Sequence, residues 1–140
     1  LDHELPALSR AIWRERFRTY TAREDLILAV MDDADPIALA YASFRVNPRV
    51  GPLVDNLHVA PERKGRGLGS HLLTEVARWL CEEHAGAPLH LEVYAPNADA
   101  LGFYRRKGGV EVARYRETPP GGLEVDVVRL QWTRPQDLLR

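Results

Sequence analysis

The spacing of apolar positions changes several times along the chain, and each change marks an element. From about Leu5 to Tyr20, residues Leu5, Leu8, Ile12, Trp13 and Phe17 recur at three- and four-residue steps, which predicts an amphipathic helix. Asp25 to Met31 reads as a short buried strand. The acidic turn Asp32-Asp33-Ala34-Asp35-Pro36, expected to be a solvated loop rather than a cation site, leads to an antiparallel partner over Ile37 to Val46. After Asn47-Pro48-Arg49, Val50 to Val59 makes a third strand of the same meander, interrupted near its start by Gly51-Pro52.

The pattern breaks at Ala60-Pro61. A loop rich in Lys, Arg and Gly opens a strong helix carried by Leu68, Leu72, Leu73, Val76, Ala77 and Leu80, running to about His84, with Gly86 suited to the C′ position. Leu89, Leu91 and Val93 alternate with His90 and Glu92 as a strand, and Asn97 caps a short helix to about Lys107, stopped by Gly108-Gly109. Val110 to Arg116 and Glu124 to Trp132 are two strands joined by Pro119-Pro120-Gly121-Gly122, and a polar tail follows. Strands and helices in this order predict an α/β (α+β) domain over residues 1–140, with a mixed, mostly antiparallel central sheet flanked by helices.

Composition adds mainly exclusions. The chain has 19 basic and 20 acidic residues and a net charge of -1, so no global field draws it to nucleic acid or an anionic membrane. Only Arg63, Lys64 and Arg66 cluster, which is a weak basis for nucleic-acid binding. No apolar run reaches about 18 residues and no signal-peptide layout opens the chain, so a cytoplasmic protein with no membrane partner is expected. The single cysteine, Cys81, allows no internal disulfide and reads as a core or semi-buried thiol rather than an acyl-accepting nucleophile. The five histidines show no metal-ligand spacing, so no metal is expected. The chain begins without Met, and a trimmed N-terminus that lacks a first element is expected.

The chemistry concentrates in Leu57 to Ser70, where a strand feeds Lys64-Gly65-Arg66-Gly67-Leu68-Gly69-Ser70 and then a helix. The first N–H groups of a helix lack intrahelical acceptors and sit at the positive end of the macrodipole, which makes an anion site. Glycines let a phosphate touch the backbone, and no acidic residue lies between Lys64 and His71. The segment lacks the Lys-Ser/Thr ending of a Walker A loop. Its glycines alternate, unlike Gly-x-Gly-x-x-Gly after the first strand of a βαβ unit.

This run resembles the acyl-CoA motif Gln/Arg-x-x-Gly-x-Gly/Ala of the GNAT superfamily of N-acetyltransferases, read here as Lys64-Gly65-Arg66-Gly67-Leu68-Gly69, with Lys at the first position. Asn97-Ala98-Asp99-Ala100-Leu101-Gly102-Phe103-Tyr104 likewise resembles the family's Asn-x-x-Ala-x-x-Phe-Tyr stretch. The resemblance extends from the first helix to Trp132, with the family's first strand expected to be missing. It implies acetyl-CoA as acyl donor and direct transfer to an amine, a small molecule or a peptide, in a ternary complex. Residues Lys64, Gly65, Arg66, Gly67, Leu68, Gly69 and Ser70 would hold the pyrophosphate. Leu57, His58 and Val59 would offer strand backbone to the pantetheine and thioester, and Asn97, Phe103 and Tyr104 would lie beside the cofactor. Tyr104 would be the general acid, since a phenol with pKa near 10 holds its proton at neutral pH. The amine must lose a proton, and Asp55, His58 and Glu92 are the candidate bases. Trp13 and Phe17 would border the acceptor pocket by family analogy, and a homodimer is the family's habit. The other reading of the same cradle is a non-catalytic acyl-CoA-binding or sensing module.

Overall fold

A computed structural model describes residues 2–3, 16–21, 24–33 and 35–140, the first two segments through their backbone only. Eight strands form one sheet among the described residues: β1 (Asp2–His3), β2 (Arg16–Thr21), β3 (Asp25–Asp32), β4 (Asp35–Ser43), β5 (Leu53–Val59), β6 (Leu89–Tyr94), β7 (Val110–Glu117) and β8 (Val125–Trp132). Their spatial order is β1-β2-β3-β4-β5-β6-β8-β7, and every neighbouring pair is antiparallel except β5 and β6. The expected mixed, mostly antiparallel architecture is present. The β5–β6 pair is parallel because the connection between them crosses over through helix α1 (Leu68–Glu83). A second helix, α2 (Ala98–Arg106), links β6 to β7.

The apolar stripe of α1 determines where the core lies. Leu72, Leu73, Val76 and Ala77 are fully buried, and the helix packs on β3, β4 and β5. Ala38, Ala40 and Ala42 share one face of β4 and are at most 2% exposed, so small side chains there let the layers approach closely. Leu89, Leu91, Val128 and Leu130 continue the core across β6 and β8.

Four features differ from the sequence reading. Residues 16–20, expected to end a helix, form strand β2, in which Phe17 pairs with Val30. The three- and four-residue spacing of a few apolar residues yielded to sheet pairing. The rest of that expected helix, Trp13 included, lies outside the described residues. The third strand starts at Leu53 rather than Val50, because Val50 and Gly51 close a turn onto the Asn47 carbonyl, Gly51 with φ of +104°. His90, expected to face outward with Glu92, is 6% exposed, because β6 is covered on both faces where it pairs with β5. The polar tail folds into a 3-10 turn, Pro135–Leu139, which buries Leu138 against α1. The Leu138 carbonyl accepts a hydrogen bond from Thr74 Oγ1 at 3.3 Å.

Candidate functional site

Strands β5 and β6 touch only briefly. Leu53 pairs with His90 and Val54 with Leu91, and from Asp55 onward the two strands part. β5 keeps its other edge on β4 through Val59, so its β6-facing edge beyond Val54 has no strand partner among the described residues. A bulge lies at the same place: Tyr41 is opposite Asn56 and Ala42 opposite Val54, leaving Asp55 as the extra residue. Bulges bend a strand and re-aim its side chains, and they recur beside active sites. No apolar pattern announced this one, because a single inserted residue leaves the composition of a strand unchanged.

The opening is flanked by the start of α1. Gly67 is the N-cap with φ of +82° and no side-chain cap, the first helical bond runs from His71 N–H to the Gly67 carbonyl, and no acidic residue occupies the first turn. The N–H groups of Leu68, Gly69 and Ser70 therefore point out of the helix with no internal acceptor. Gly65 also has positive φ, and a Cβ built on Gly65 or Gly67 would meet nothing within 4 Å. Such a cradle admits an anion to the backbone, so the residues present fit the pyrophosphate of coenzyme A. Arg63 borders it and is bound to the Asp32 carboxylate. The acidic turn thus holds a cradle arginine and is not merely solvated.

Helix α2 supplies the opposite wall. Its cap is Asn97, whose Oδ1 accepts the Ala100 N–H at 3.2 Å. Leu101 and Tyr104 are its buried residues. Phe103 lies within 3.6 Å of where a Cβ on Gly69 would be, so the two helices meet at a glycine. Tyr104 packs edge-on to Phe103 and Trp132, with ring centroids 5.2 Å and 6.3 Å away. It is 7% exposed, and burial pushes its phenol up to about 12.

A cavity of about 600 Å³ collects the expected donor-side residues: Leu57, His58 and Val59 of β5; Lys64, Gly65, Gly67, Leu68, Gly69 and Ser70 of the cradle; and Asn97, Phe103 and Tyr104 of α2. Arg66 is exposed and does not line it. A second cavity, of about 450 Å³, continues on the other side of Tyr104. It is lined by Asp55, Glu92, Tyr94, Tyr115 and Glu117, among others, and shares Leu57, Asn97, Ala100 and Tyr104 with the first. The candidate bases are thereby separated: Asp55 and Glu92 line the second cavity, His58 the first. Glu92 is already engaged. Tyr115 OH donates to its Oε1 at 2.9 Å and Arg129 Nε to its Oε2 at 3.0 Å. The residues missed by sequence reasoning are Tyr94, Tyr115 and Glu117. Tyr115 and Glu117 share a face of an exposed edge strand, a pattern that by itself signals only a solvated surface.

Known proteins with the same architecture fit this geometry. Residues 2–109 match the acetyltransferase (GNAT) family. The streptothricin acetyltransferase of Streptomyces lavendulae is 35% identical over 100 residues, which is 68% of this chain and 51% of that protein, so the chain spans about half the length of this curated relative. The Escherichia coli ribosomal-protein-S18-alanine N-acetyltransferase superposes with a TM-score of 0.63 at 21% identity, covering 94% of this chain and 91% of that one. A Bacillus anthracis protein assigned as a streptothricin acetyltransferase, solved in complex with acetyl coenzyme A, gives 0.64 at 18% identity over 77% of this chain and 61% of that one. The two structural likenesses establish the fold, and the family match, which extends over more than half the chain, establishes that this protein belongs to the GNAT acetyltransferase family.

Proposed function

We propose that this protein transfers the acetyl group of acetyl-CoA to a primary amine by direct attack while both substrates are bound. The observation that carries the reading is the position of Tyr104: a buried phenol shared by two cavities, beside a phosphate cradle, where β5 and β6 part.

Each residue group has a separate task. The N–H groups at the start of α1, with Lys64, hold the diphosphate. The uncovered edge of β5 aligns the pantetheine arm and polarises the thioester carbonyl, so that positioning and electrostatics supply most of the rate. Attack forms the amide C–N bond and breaks C–S, and the departing thiolate takes a proton from Tyr104. The phenol, at about 12, is a weaker acid than a thiol near 8.5. Its transfer to the thiolate is therefore uphill by roughly 3–4 pH units, and is drawn forward as the phenolate recaptures the proton that the attacking amine releases. Glu92, with both carboxylate oxygens engaged, serves better to hold Tyr115 and Arg129 in place than to accept a proton. Asp55, at the bulge and on the acceptor side, is the better-placed base.

The test is to incubate the protein with acetyl-CoA and a panel of amines while following thiol release, alongside calorimetry with coenzyme A. Amine-dependent release supports transfer. Binding without release on any amine points instead to an acyl-CoA-sensing module, and no binding removes the cradle.

A further inference from the structure

The two cavities that meet at Tyr104 differ in charge. On the donor side lie Lys64, Arg63 in its ion pair with Asp32, one carboxylate, Asp99, and the positive end of α1. On the acceptor side the lining holds three carboxylates, Asp55, Glu92 and Glu117, and no lysine or arginine. Arg129 neutralises Glu92 from outside that lining. Asp55 and Glu117 have no cationic partner among the described residues, since Arg114 and Arg116 of β7 pair with Glu111, Glu124 and Asp126. Among the described residues, no three or more His, Cys, Asp or Glu side chains come together in a way that could hold a metal ion.

The three carboxylates come from three strands that meet at one cavity. Asp55 sits where β5 and β6 part, and Glu92 lies on the neighbouring strand. Glu117 lines the cavity with Tyr94, which lies two residues beyond Glu92 on β6, roughly 7 Å by strand rise, and the Glu117 carboxylate raises the Tyr94 phenol above its ordinary value. Tyr104 lines the same cavity, 7% exposed, with no hydrogen-bond partner for its hydroxyl among the described residues. Tyr94 and Tyr115 are its other aromatic lining residues. A volume of about 450 Å³ suits a small molecule rather than a folded surface.

Resting on the acetyl-transfer reading, we infer that the acceptor is a small, extended amine carrying at least one positive charge besides the nitrogen that reacts. The reacting nitrogen lies between Asp55 and Tyr104, and the distal charge is held at Glu117 beside Tyr94 and Tyr115. A second ammonium adds a Coulomb attraction and cation–π contact that a methyl end cannot. The field also sorts the two substrates, drawing the anionic donor to one mouth and the cationic acceptor to the other.

The test compares straight-chain α,ω-diamines of three to ten carbons with monoamines of the same length, by calorimetry on the protein saturated with coenzyme A and by thiol release with acetyl-CoA. At the best chain length the diamine is expected to bind at least about tenfold more tightly than its monoamine, with the advantage shrinking as salt rises. Glu117→Gln should cut that advantage several-fold. Equal affinities at every length, or an advantage unchanged in Glu117→Gln, overturn the inference. Because binding is read without turnover, a diamine advantage with no thiol release would leave this inference standing and overturn acetyl transfer alone.

Discussion

The indole Nε1–H of Trp132 donates to the backbone carbonyl of Lys107 at 3.0 Å, tying the last residue of β8 to the C-cap of the helix that carries Tyr104. Gly109 makes the approach possible, since a Cβ there would lie 3.0 Å from the Trp132 ring and 3.1 Å from the Tyr104 carbonyl. Trp132 lines neither cavity and packs on Tyr104, so on the proposed mechanism its expected role is to hold the phenol in place. Trp132→Phe should lose about 1 kcal/mol of stability with the hydrogen bond, more if the smaller ring leaves a void. It should lower kcat several-fold while leaving the KM for acetyl-CoA nearly unchanged. Urea unfolding and steady-state kinetics on one preparation would check both, and an unchanged kcat would remove the positioning role.

Replacing Tyr104 with Phe deletes only the hydroxyl. kcat should fall on the order of 10²-fold, with acetyl-CoA affinity preserved. The pH profile supplies an independent check. Because burial holds the phenol at about 12, Tyr104 stays protonated across the alkaline range, so kcat/KM should climb as the amine loses its proton and show no downturn up to about pH 10. A downturn near pH 9 that vanishes in the Phe variant would show that the working phenol is far more acidic than its burial implies.

Much of this site could be read from the chain because its chemistry is local in sequence. The cradle is one continuous run from Lys64 to Ser70, legible from glycines at a helix start, and Asn97 to Tyr104 form one cap and one helix face that the resemblance to the family motif singled out. The acceptor side is different. Asp55, Glu92 and Glu117 come from three strands brought together by the order β5-β6-β8-β7, and no local pattern encodes that order. The misreading of residues 16–20 has a related cause: a few apolar residues satisfy a helical period by chance, and pairing with β3 decides the outcome. Asp55 was singled out for its strand, but the bulge that makes it distinctive depends on register with β4.

The two outer glycines of Gly67-Leu68-Gly69 should respond differently to alanine. Gly67 has φ of +82°, where an L residue is strained by about 1–2 kcal/mol, and its Cβ would stand in the open space of the cradle. Gly69 has an ordinary helical backbone, and its Cβ would meet Phe103 and Leu57 at 3.6 Å and 3.8 Å, normal contact distances. Gly67→Ala should lower the urea midpoint and weaken coenzyme A binding by about tenfold or more. Gly69→Ala should leave stability nearly unchanged. Calorimetry on the pair checks this, and equal losses in both variants would mean that backbone conformation is not what sets the cradle.

Stability should fall on mild acidification because of His90. Burial holds its imidazole below the usual 6.5; Arg129 pushes the same way, and the Pro52 carbonyl, 3.3 Å from Nδ1, and Glu92 oppose without prevailing. As pH drops through about 6.5, the unfolded chain binds a proton that the folded protein still refuses, so ΔG of unfolding declines until folded His90 also titrates. Half-buried His71 on α1 acts in the same direction, its lowering by burial and Arg78 outweighing Glu75. The urea midpoint at pH 5.5 should therefore lie below that at pH 7.5. His90→Gln, whose amide can still donate to the Pro52 carbonyl, should flatten part of the difference. An undiminished difference in that variant would assign the whole effect to His71 or to the carboxylates.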